Sequence, residues 1–206
     1  MDQTSFCGLS LLTAPGRVMS PRAASEQLVT ASLELIGERP ARVVDVGTGS
    51  GALAIAIASA APRALLWATD TSADAVAVAQ ANVRSHGLEQ RITVAHGDLL
   101  EPVPGAVDLI VANLPYLPAA EAARFPDLSV EPSDAVFADG DGLGPYRRLL
   151  RVCPGRLSPG GAVVIQLHRH ALAAHRDELP ILRAELEAVQ RAAARLSAPQ
   201  QLAAAA

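Results

Sequence analysis

The stretch Val43-Val44-Asp45-Val46-Gly47-Thr48-Gly49-Ser50-Gly51, followed by the helix-forming run 52–58, decides the fold of this chain. A continuous apolar run that ends in glycines is typical of a buried parallel strand and a tight turn. Glycine lets the backbone approach a ligand closely, and the next helix directs free N–H groups toward the turn. The stretch therefore predicts a nucleotide-type site at the carboxyl edge of a parallel sheet, with a purely structural turn as the alternative.

Two carboxylates bear on which ligand such a turn would bind. Gly47-x-Gly49-x-x-Ala52 fits a loose dinucleotide fingerprint, and Asp70 lies where a ribose-binding acid is expected. A carboxylate at Asp45, before the first glycine, would repel a pyrophosphate but suits a cation. S-adenosylmethionine carries a sulfonium and an ammonium group and no phosphate, so we expect this cofactor.

Composition narrows the function classes. The 206 residues suit one domain, and the net charge is −4, with 17 arginines, no lysine and no basic run or stripe. This pattern argues against nucleic-acid binding. Two cysteines and no leader or membrane-length apolar run predict a cytoplasmic protein without membrane association. His168, His170 and His175 lack the spacing of a metal site, so no metal is expected.

Strand and helix signals alternate along the chain. Predicted strands lie at 42–46, 64–70, 92–96, 107–112 and 162–167. Predicted helices begin near Ser20, after the glycine turn, and at Thr71 or Ser72. This alternation predicts an α/β, Rossmann-like parallel sheet with helices on both faces. We expect an N-terminal segment and helix at 1–40, a cofactor-binding domain at 41–170, and a C-terminal helix with an Ala-rich tail at 171–206.

The fourth predicted strand ends in Asn113-Leu114-Pro115-Tyr116. Pro115 moves Leu114 out of the helical region and fixes the direction of the chain. The Asn113 side-chain oxygen and a nearby carbonyl would then hold one NH₂ group between them, with the Tyr116 ring alongside. This loop predicts methylation of a planar amide or amino nitrogen by positioning, without a metal. A structural loop with a core tyrosine is the alternative.

Together these motifs resemble class I S-adenosylmethionine-dependent methyltransferases, through the glycine stretch, Asp70 and Gly97-Asp98. Asn113-Leu114-Pro115-Tyr116 is similar to the Asn-Pro-Pro-Tyr signature of their amino-nitrogen subgroup, with Leu114 where that family usually has proline. Segment 20–26 is similar to the Pro-Arg-Pro-x-Thr-Glu segment of the HemK/PrmC-like protein-glutamine N5-methyltransferases. Segment 131–149 also resembles that family, whose known substrates are peptide-chain release factors.

The resemblance implies a cofactor pocket with ten residues: Asp45, Gly47, Thr48, Gly49, Gly51, Asp70, Thr71, Asp98, Leu99 and Asn113. Within it, Asp45 would face the amine side of the cofactor, and Asp70 would accept both ribose hydroxyls. Asp98 and Leu99 would border the adenine.

The resemblance also implies a catalytic loop. Asn113 and the Leu114 carbonyl would hold the substrate amide, Pro115 would fix the loop, and Tyr116 would pack on the amide. Arg22 and Glu26 would line the mouth of the site.

The methyl acceptor and the partners remain open. A protein glutamine of the release-factor type is expected, with a small molecule, a nucleic-acid adenine or a non-catalytic scaffold as alternatives. We expect no counterpart of the helical N-terminal domain of bacterial family members, and some shorter members depend on a small activating partner. Apolar residues at helical spacing predict that a C-terminal helix replaces the family's antiparallel hairpin. This helix could pack on its own sheet, cover the open sheet edge or form a homodimer. The apolar residues are Leu182, Leu186, Val189, Ala193 and Leu196.

Overall fold

The structure is a computed structural model and describes residues 2–167. Nine strands are present in this range: β1 (Asp2–Phe6), β2 (Leu9–Thr13), β3 (Ala41–Val46), β4 (Ala64–Asp70), β5 (Ile92–His96), β6 (Val107–Ala112), β7 (Leu117–Pro118), β8 (Phe137–Ala138) and β9 (Leu157–Ile165). Five α-helices accompany them: α1 (Glu26–Ile36), α2 (Ala52–Ala60), α3 (Ala73–Ser85), α4 (Ser133–Val136) and α5 (Gly144–Val152). The predicted C-terminal helix and the three histidines lie outside the described residues.

Five parallel strands form the central sheet in the order β5-β4-β3-β6-β9. The chain builds outward from β3 through β4 to β5, then crosses back to β6 on the other side of β3. The carboxyl ends of β3 and β6 therefore flank the point where the strand order reverses, which is where such sheets bind ligands. The predicted α/β Rossmann-like architecture is confirmed.

Alternate residues of the strands pack against helices on both faces of the sheet. One face is buried against α1, α2 and α3 through Val43, Leu66, Leu109 and Val111. The other is buried against α5 through Val44, Val46, Ile110 and Ala112. Fully burying a side chain of this size stabilises a fold by roughly 1.5–3 kcal/mol. The two-sided core makes the central strands rigid supports for the loops at their carboxyl ends.

An N-terminal hairpin that the sequence reading did not predict packs on this domain. β1 and β2 pair in antiparallel register, and Phe6 faces Leu9 across the turn Cys7–Gly8. Both turn residues have positive φ, 48° for Cys7 and 74° for Gly8. This is the geometry of a type I′ turn, which matches the twist of the two strands it joins. The buried side chains of Phe6 and Leu11 join the main core.

Two predicted boundaries were wrong. The first helix begins at Glu26 rather than near Ser20, because Arg22 is extended and residues 23–25 form a 3-10 turn. The last described strand begins at Leu157 rather than Ala162, because Leu157 already pairs with Val107 and the register shifts after that pair. The Pro-Gly-Gly sequence thus forms an irregularity within the strand rather than the turn before it.

No helix among residues 2–167 combines the length and the apolar character needed to cross a bilayer.

Both cysteines, Cys7 and Cys153, are free, the first exposed and the second buried. Burial raises the pKa of the Cys153 thiol to about 12, so the thiol is neutral and serves as a core residue.

Candidate active site

The loops that follow β3, β4, β5 and β6 line one cavity of about 230 Å³ at the carboxyl edge of the sheet. Eight of the predicted site residues line it: Gly47, Asp70, Thr71, Asp98, Leu99, Asn113, Leu114 and Pro115. A smaller cavity of about 60 Å³ lies next to it and includes Thr48. Gly47 and Asn113 line both cavities. The structure thus brings the glycine turn and the Asn113 loop together, as the sequence predicts.

Asp70 fixes the geometry of the glycine turn. Its Oδ2 accepts the Gly49 N–H at 2.9 Å, and its Oδ1 accepts the Ser72 N–H, also at 2.9 Å. Hydrogen bonds to a charged acceptor are stronger than those to a neutral one. The carboxylate is therefore held at the cavity wall with a defined orientation, and each oxygen keeps a further lone pair for a ligand.

Gly47 is required where the turn approaches the Asn113 loop. Its φ is +70°, a region that side chains rarely adopt. A Cβ on Gly47 would lie 2.7 Å from Cδ2 of Leu114. The glycine turn and the Asn113 loop are therefore in direct contact through Gly47 and the Leu114 side chain.

Asp45 lies beneath the glycine turn rather than at the cavity wall. Its Oδ2 accepts the Thr48 hydroxyl at 2.6 Å and the Ala54 N–H at 3.2 Å, and its Oδ1 is buried without a partner. Burial outweighs these hydrogen bonds and raises the pKa of Asp45 to about 6. The carboxylate joins the turn to the start of α2, and its predicted contact with the cofactor amine stays a prediction.

Asp98 and Leu99 line the cavity from the loop after β5. Asp98 forms an ion pair with Arg148 from α5. Leu99 has a φ of +49°, and its carbonyl accepts the Thr69 hydroxyl at 2.8 Å. A leucine in this conformation is strained, and such strain is commonly found at ligand sites. The hydrogen bond from β4 holds Leu99 in place against the cavity.

Two distant residues hold the Asn113 loop. The Asn113 Nδ2 donates to the hydroxyl of Ser25 at 3.1 Å. The Leu114 N–H donates to the hydroxyl of Tyr146 at 3.0 Å. That hydroxyl lies 2.6 Å from the Gln166 carbonyl and 3.3 Å from the Leu114 carbonyl. Because it has a single hydrogen, the shorter contact to Gln166 is favoured, which leaves the Leu114 carbonyl as an acceptor.

The remaining predicted residues are placed away from the cavity walls. Tyr116 packs against Leu143 and Leu150, and burial raises the pKa of its hydroxyl. Gly51 is the residue before α2 and has a left-handed conformation. Glu26 accepts the N–H of Cys7 at the hairpin turn. The predicted ligand contacts of these residues stay predictions.

Arg22 lines the smaller cavity. It pairs with Glu131 at 3.5 Å, and the same carboxylate accepts the Ser20 N–H at 3.1 Å. Glu131 thus connects the segment before α1 with the loop before α4. The Glu131 side chain is only 6% exposed.

Asn82 is a site-supporting residue that the sequence reading missed. It is fully buried on α3, its Oδ1 accepts the Leu12 N–H at 2.7 Å, and its Nδ2 lies within hydrogen-bond distance of the Leu12 and Ser50 carbonyls. The side chain therefore links the N-terminal hairpin to the glycine turn. The only sequence signal for this role is a polar residue on the buried face of an Ala-rich helix.

The charges around the cavity fit a cationic cofactor better than a phosphate. Its two lining arginines are engaged, Arg17 with Asp74 at 3.4 Å and Arg148 with Asp98. Asp70 carries its negative charge at the cavity wall, beside the glycine turn. Within residues 2–167, no three histidine, cysteine or acidic side chains are grouped as metal ligands.

Residues 23–125 match the family described as the methyltransferase small domain. A release factor glutamine methyltransferase of Moorella thermoacetica is 41% identical over 165 residues, covering 79% of this chain and 58% of that protein. A ribosomal protein uL3 glutamine methyltransferase of Bordetella pertussis is 38% identical over 173 residues, which cover 80% of this chain and 58% of that protein. The crystal structure of a ribosomal protein L11 methylase from Lactobacillus delbrueckii subsp. bulgaricus aligns with a TM-score of 0.58 and 25% identity. The alignment covers 85% of this chain and 72% of that protein. The chain thus spans less than two thirds of the length of both glutamine methyltransferases.

Proposed function

The chain belongs to the methyltransferase small domain family, and from this premise we propose that it is an S-adenosylmethionine-dependent N-methyltransferase that modifies a glutamine side chain of a protein. The observation that carries the proposal is that Asn113 lies in the predicted cofactor cavity. It lines the same cavity as Gly47, Asp70 and Asp98, at the point where the strand order reverses. An amide-binding loop and a nucleoside-binding edge then open into one space.

The cofactor would lie along the carboxyl edge of β3, β4 and β5. When bound, S-adenosylmethionine supplies an electrophilic methyl group on a positively charged sulfur. Asp70, already oriented by two backbone N–H groups, would accept the ribose hydroxyls. Leu99 and Asp98 would border the adenine. The buried, unpartnered Oδ1 of Asp45 adds negative charge beneath the turn, which suits a cation in the cavity above.

The acceptor amide would be held by the loop after β6. The Asn113 Oδ1 and the Leu114 carbonyl would each accept one N–H of a glutamine NH₂ group. This grip orients the nitrogen toward the methyl group and increases the electron density on it, which is catalysis by positioning and electrostatics. The nitrogen would form a bond to the methyl carbon as the carbon–sulfur bond breaks, the sulfur would keep that electron pair as a neutral thioether, and the nitrogen would lose one proton to solvent.

The charge near the site favours a protein acceptor over a nucleic acid. Residues 119–141 carry one basic side chain, Arg124, and six acidic ones: Glu121, Asp127, Glu131, Asp134, Asp139 and Asp141. Three residues of this stretch, Pro132, Asp134 and Ala135, line the cavity. An RNA or DNA strand would meet repulsion at this edge, because its affinity depends on phosphate contacts with cations.

Two measurements on the full chain test the proposal. Calorimetric titration with S-adenosylmethionine should show binding, and the same titration with NADH should not. Mass spectrometry should then show one added methyl group on a glutamine peptide from a release factor or from ribosomal protein uL3. The matched peptide with asparagine in place of that glutamine should stay unmodified. Methylation of an adenine-containing RNA hairpin and of neither peptide would contradict the proposed acceptor.

Two further parts of the proposal concern location and assembly. We infer a cytoplasmic location, supported by two unpaired cysteines and by relatives named for release factors and a ribosomal protein.

For the assembly, we propose to test a homodimer through segment 182–196 or a complex with a small activating partner. Sedimentation of the purified chain, alone and with S-adenosylmethionine, measures its mass directly. A monomer that is fully active alone would contradict both forms of assembly.

A further inference from the structure

We propose that Ser25 is a positioning residue that anchors the Asn113 amide in the orientation seen in the structure, an inference that rests on the proposed function because it concerns the same acceptor group. The Asn113 Nδ2 donates to Ser25 Oγ across 3.1 Å, and 88 residues separate the two positions in the chain. Ser25 is 5% exposed and ends the 3-10 turn that precedes α1. The hydrogen bond therefore connects the N-terminal segment to the catalytic loop.

The orientation matters because a primary amide has a donor end and an acceptor end. If Nδ2 of Asn113 faced a substrate NH₂ group, two donors would meet and no hydrogen bond could form. In the structure the nitrogen is the end that pairs with Ser25, so the oxygen is the end that remains for the substrate. Because a hydroxyl can pair with either end of an amide, Ser25 acts by anchoring the side chain at its observed torsion. Without the serine hydroxyl, rotation about this terminal torsion, which is broad and roughly two-fold, is less restrained.

Ser25 is well placed for this task because its own position is fixed. It is buried between the start of α1 and the carboxyl edge of the sheet, and it lines the smaller cavity together with Asn113 and Thr48. Holding a reacting group in the productive geometry before the substrate arrives removes an entropy cost from the reaction. We therefore expect Ser25 to act on turnover rather than on the binding of the cofactor.

Ser25→Ala, Ser25→Thr and a control, Ser32→Ala, test this role. Ser32 is also buried, and its hydroxyl has no hydrogen-bond partner. With a glutamine peptide, Ser25→Ala should lower kcat by about five- to tenfold, the effect of losing one hydrogen bond. The dissociation constant for S-adenosylmethionine should stay unchanged. Ser25→Thr should restore kcat because it restores the hydroxyl, and Ser32→Ala should match the wild type.

Nuclear magnetic resonance provides a readout that does not depend on turnover. The side-chain NH₂ signals of Asn113 can be assigned by their loss in Asn113→Asp. Ser25→Ala should shift these signals and accelerate their exchange with water, whereas Ser25→Thr and Ser32→Ala should leave them in place. Unchanged signals or an unchanged kcat in Ser25→Ala would overturn the inference. If the wild type methylated no glutamine peptide, the proposed function and the effect of Ser25 on turnover would fail, and the signals alone would decide whether Ser25 holds the amide.

Discussion

The hydroxyl of Tyr146 on α5 accepts the backbone N–H of Leu114, and the distance between the two atoms is 3.0 Å. Proline has no N–H, so this bond depends on the residue that departs from the Asn-Pro-Pro-Tyr signature. The Tyr146 side chain is fully buried, and its pKa is raised by that burial, so the hydroxyl is neutral and can donate to Gln166 as well. In this chain, a hydrogen bond from the loop backbone to α5 thus fixes Leu114, whereas a proline would fix it through its ring.

Tyr146→Phe should therefore loosen the Asn113 loop while leaving the aromatic packing in place. Removing the hydroxyl leaves the buried Leu114 N–H and Gln166 carbonyl without this partner, which destabilises a fold by roughly 1–3 kcal/mol per group. We expect a lower midpoint in urea denaturation and a reduced kcat with a glutamine peptide. Affinity for S-adenosylmethionine should stay near that of the wild type. An unchanged denaturation midpoint would contradict the structural role of the hydroxyl.

Asp70→Asn should weaken cofactor binding. The substitution replaces one carboxylate oxygen with an NH₂ group, which would face the N–H of either Gly49 or Ser72. A hydrogen bond to a charged group contributes roughly 1.5–3 kcal/mol, so the dissociation constant measured by calorimetry should rise by about 10- to 100-fold. Asp108→Asn is the matched control, because Asp108 also accepts a backbone N–H, that of Arg42, at the opposite end of the sheet. Equal losses of affinity in both variants would contradict the assignment.

Gly142→Ala should disturb the loop after β6 at Tyr116. A Cβ on Gly142 would lie 2.5 Å from the carbonyl oxygen of Tyr116, and the φ of Gly142 is +84°. Left-handed backbone in a non-glycine residue costs about 1–2 kcal/mol, and a clash with backbone adds roughly 1–3 kcal/mol. Gly140→Ala provides the control, because its φ is +64° and the space around it is open. Thermal unfolding should show the larger loss for Gly142→Ala, and similar losses in both variants would argue against the close approach.

Features that depend on neighbouring residues were predictable from the sequence. Gly47 and the pair Gly97-Asp98 directly follow a strand and Asp70 ends one, and parallel strands end at the same edge. The alternation of strands and helices then determined that these loops would meet. The position of Asn113 in the same cavity followed from this rule, without knowledge of any side-chain contact.

Features that depend on distant contacts were not predictable. Asn82 contacts Leu12 across 70 positions, and Tyr146 contacts Leu114 across 32. No local sequence pattern identifies such pairs, because an asparagine or a tyrosine in the sequence is equally compatible with a local hydrogen bond or with exposure to solvent. The hairpin turn at Cys7–Gly8 was missed for another reason, since cysteine is uncommon at a position with positive φ.

The buried carboxyl of Asp45 should make the stability of the protein depend on pH. Its pKa is about 6 in the folded protein, above its ordinary value of 3.8, because burial disfavours the charged form. The folded state therefore binds this proton more tightly than the unfolded state does between these two values. By linkage, the stabilising contribution of Asp45 is complete below about pH 4 and is lost as the pH rises through about 6. The difference of about two pKa units corresponds to roughly 3 kcal/mol.

Asp45→Asn isolates this effect, because asparagine does not titrate. Its side-chain oxygen can still accept from Thr48 and Ala54, and any penalty from its NH₂ group is the same at every pH. We expect the free energy of unfolding of the wild type, minus that of the variant, to fall as the pH rises from 4 to 7. Urea denaturation at several pH values measures this difference. A difference that stayed constant across the range would mean that the Asp45 carboxyl titrates alike in the folded and unfolded chains, which would contradict a pKa raised by burial beneath the glycine turn.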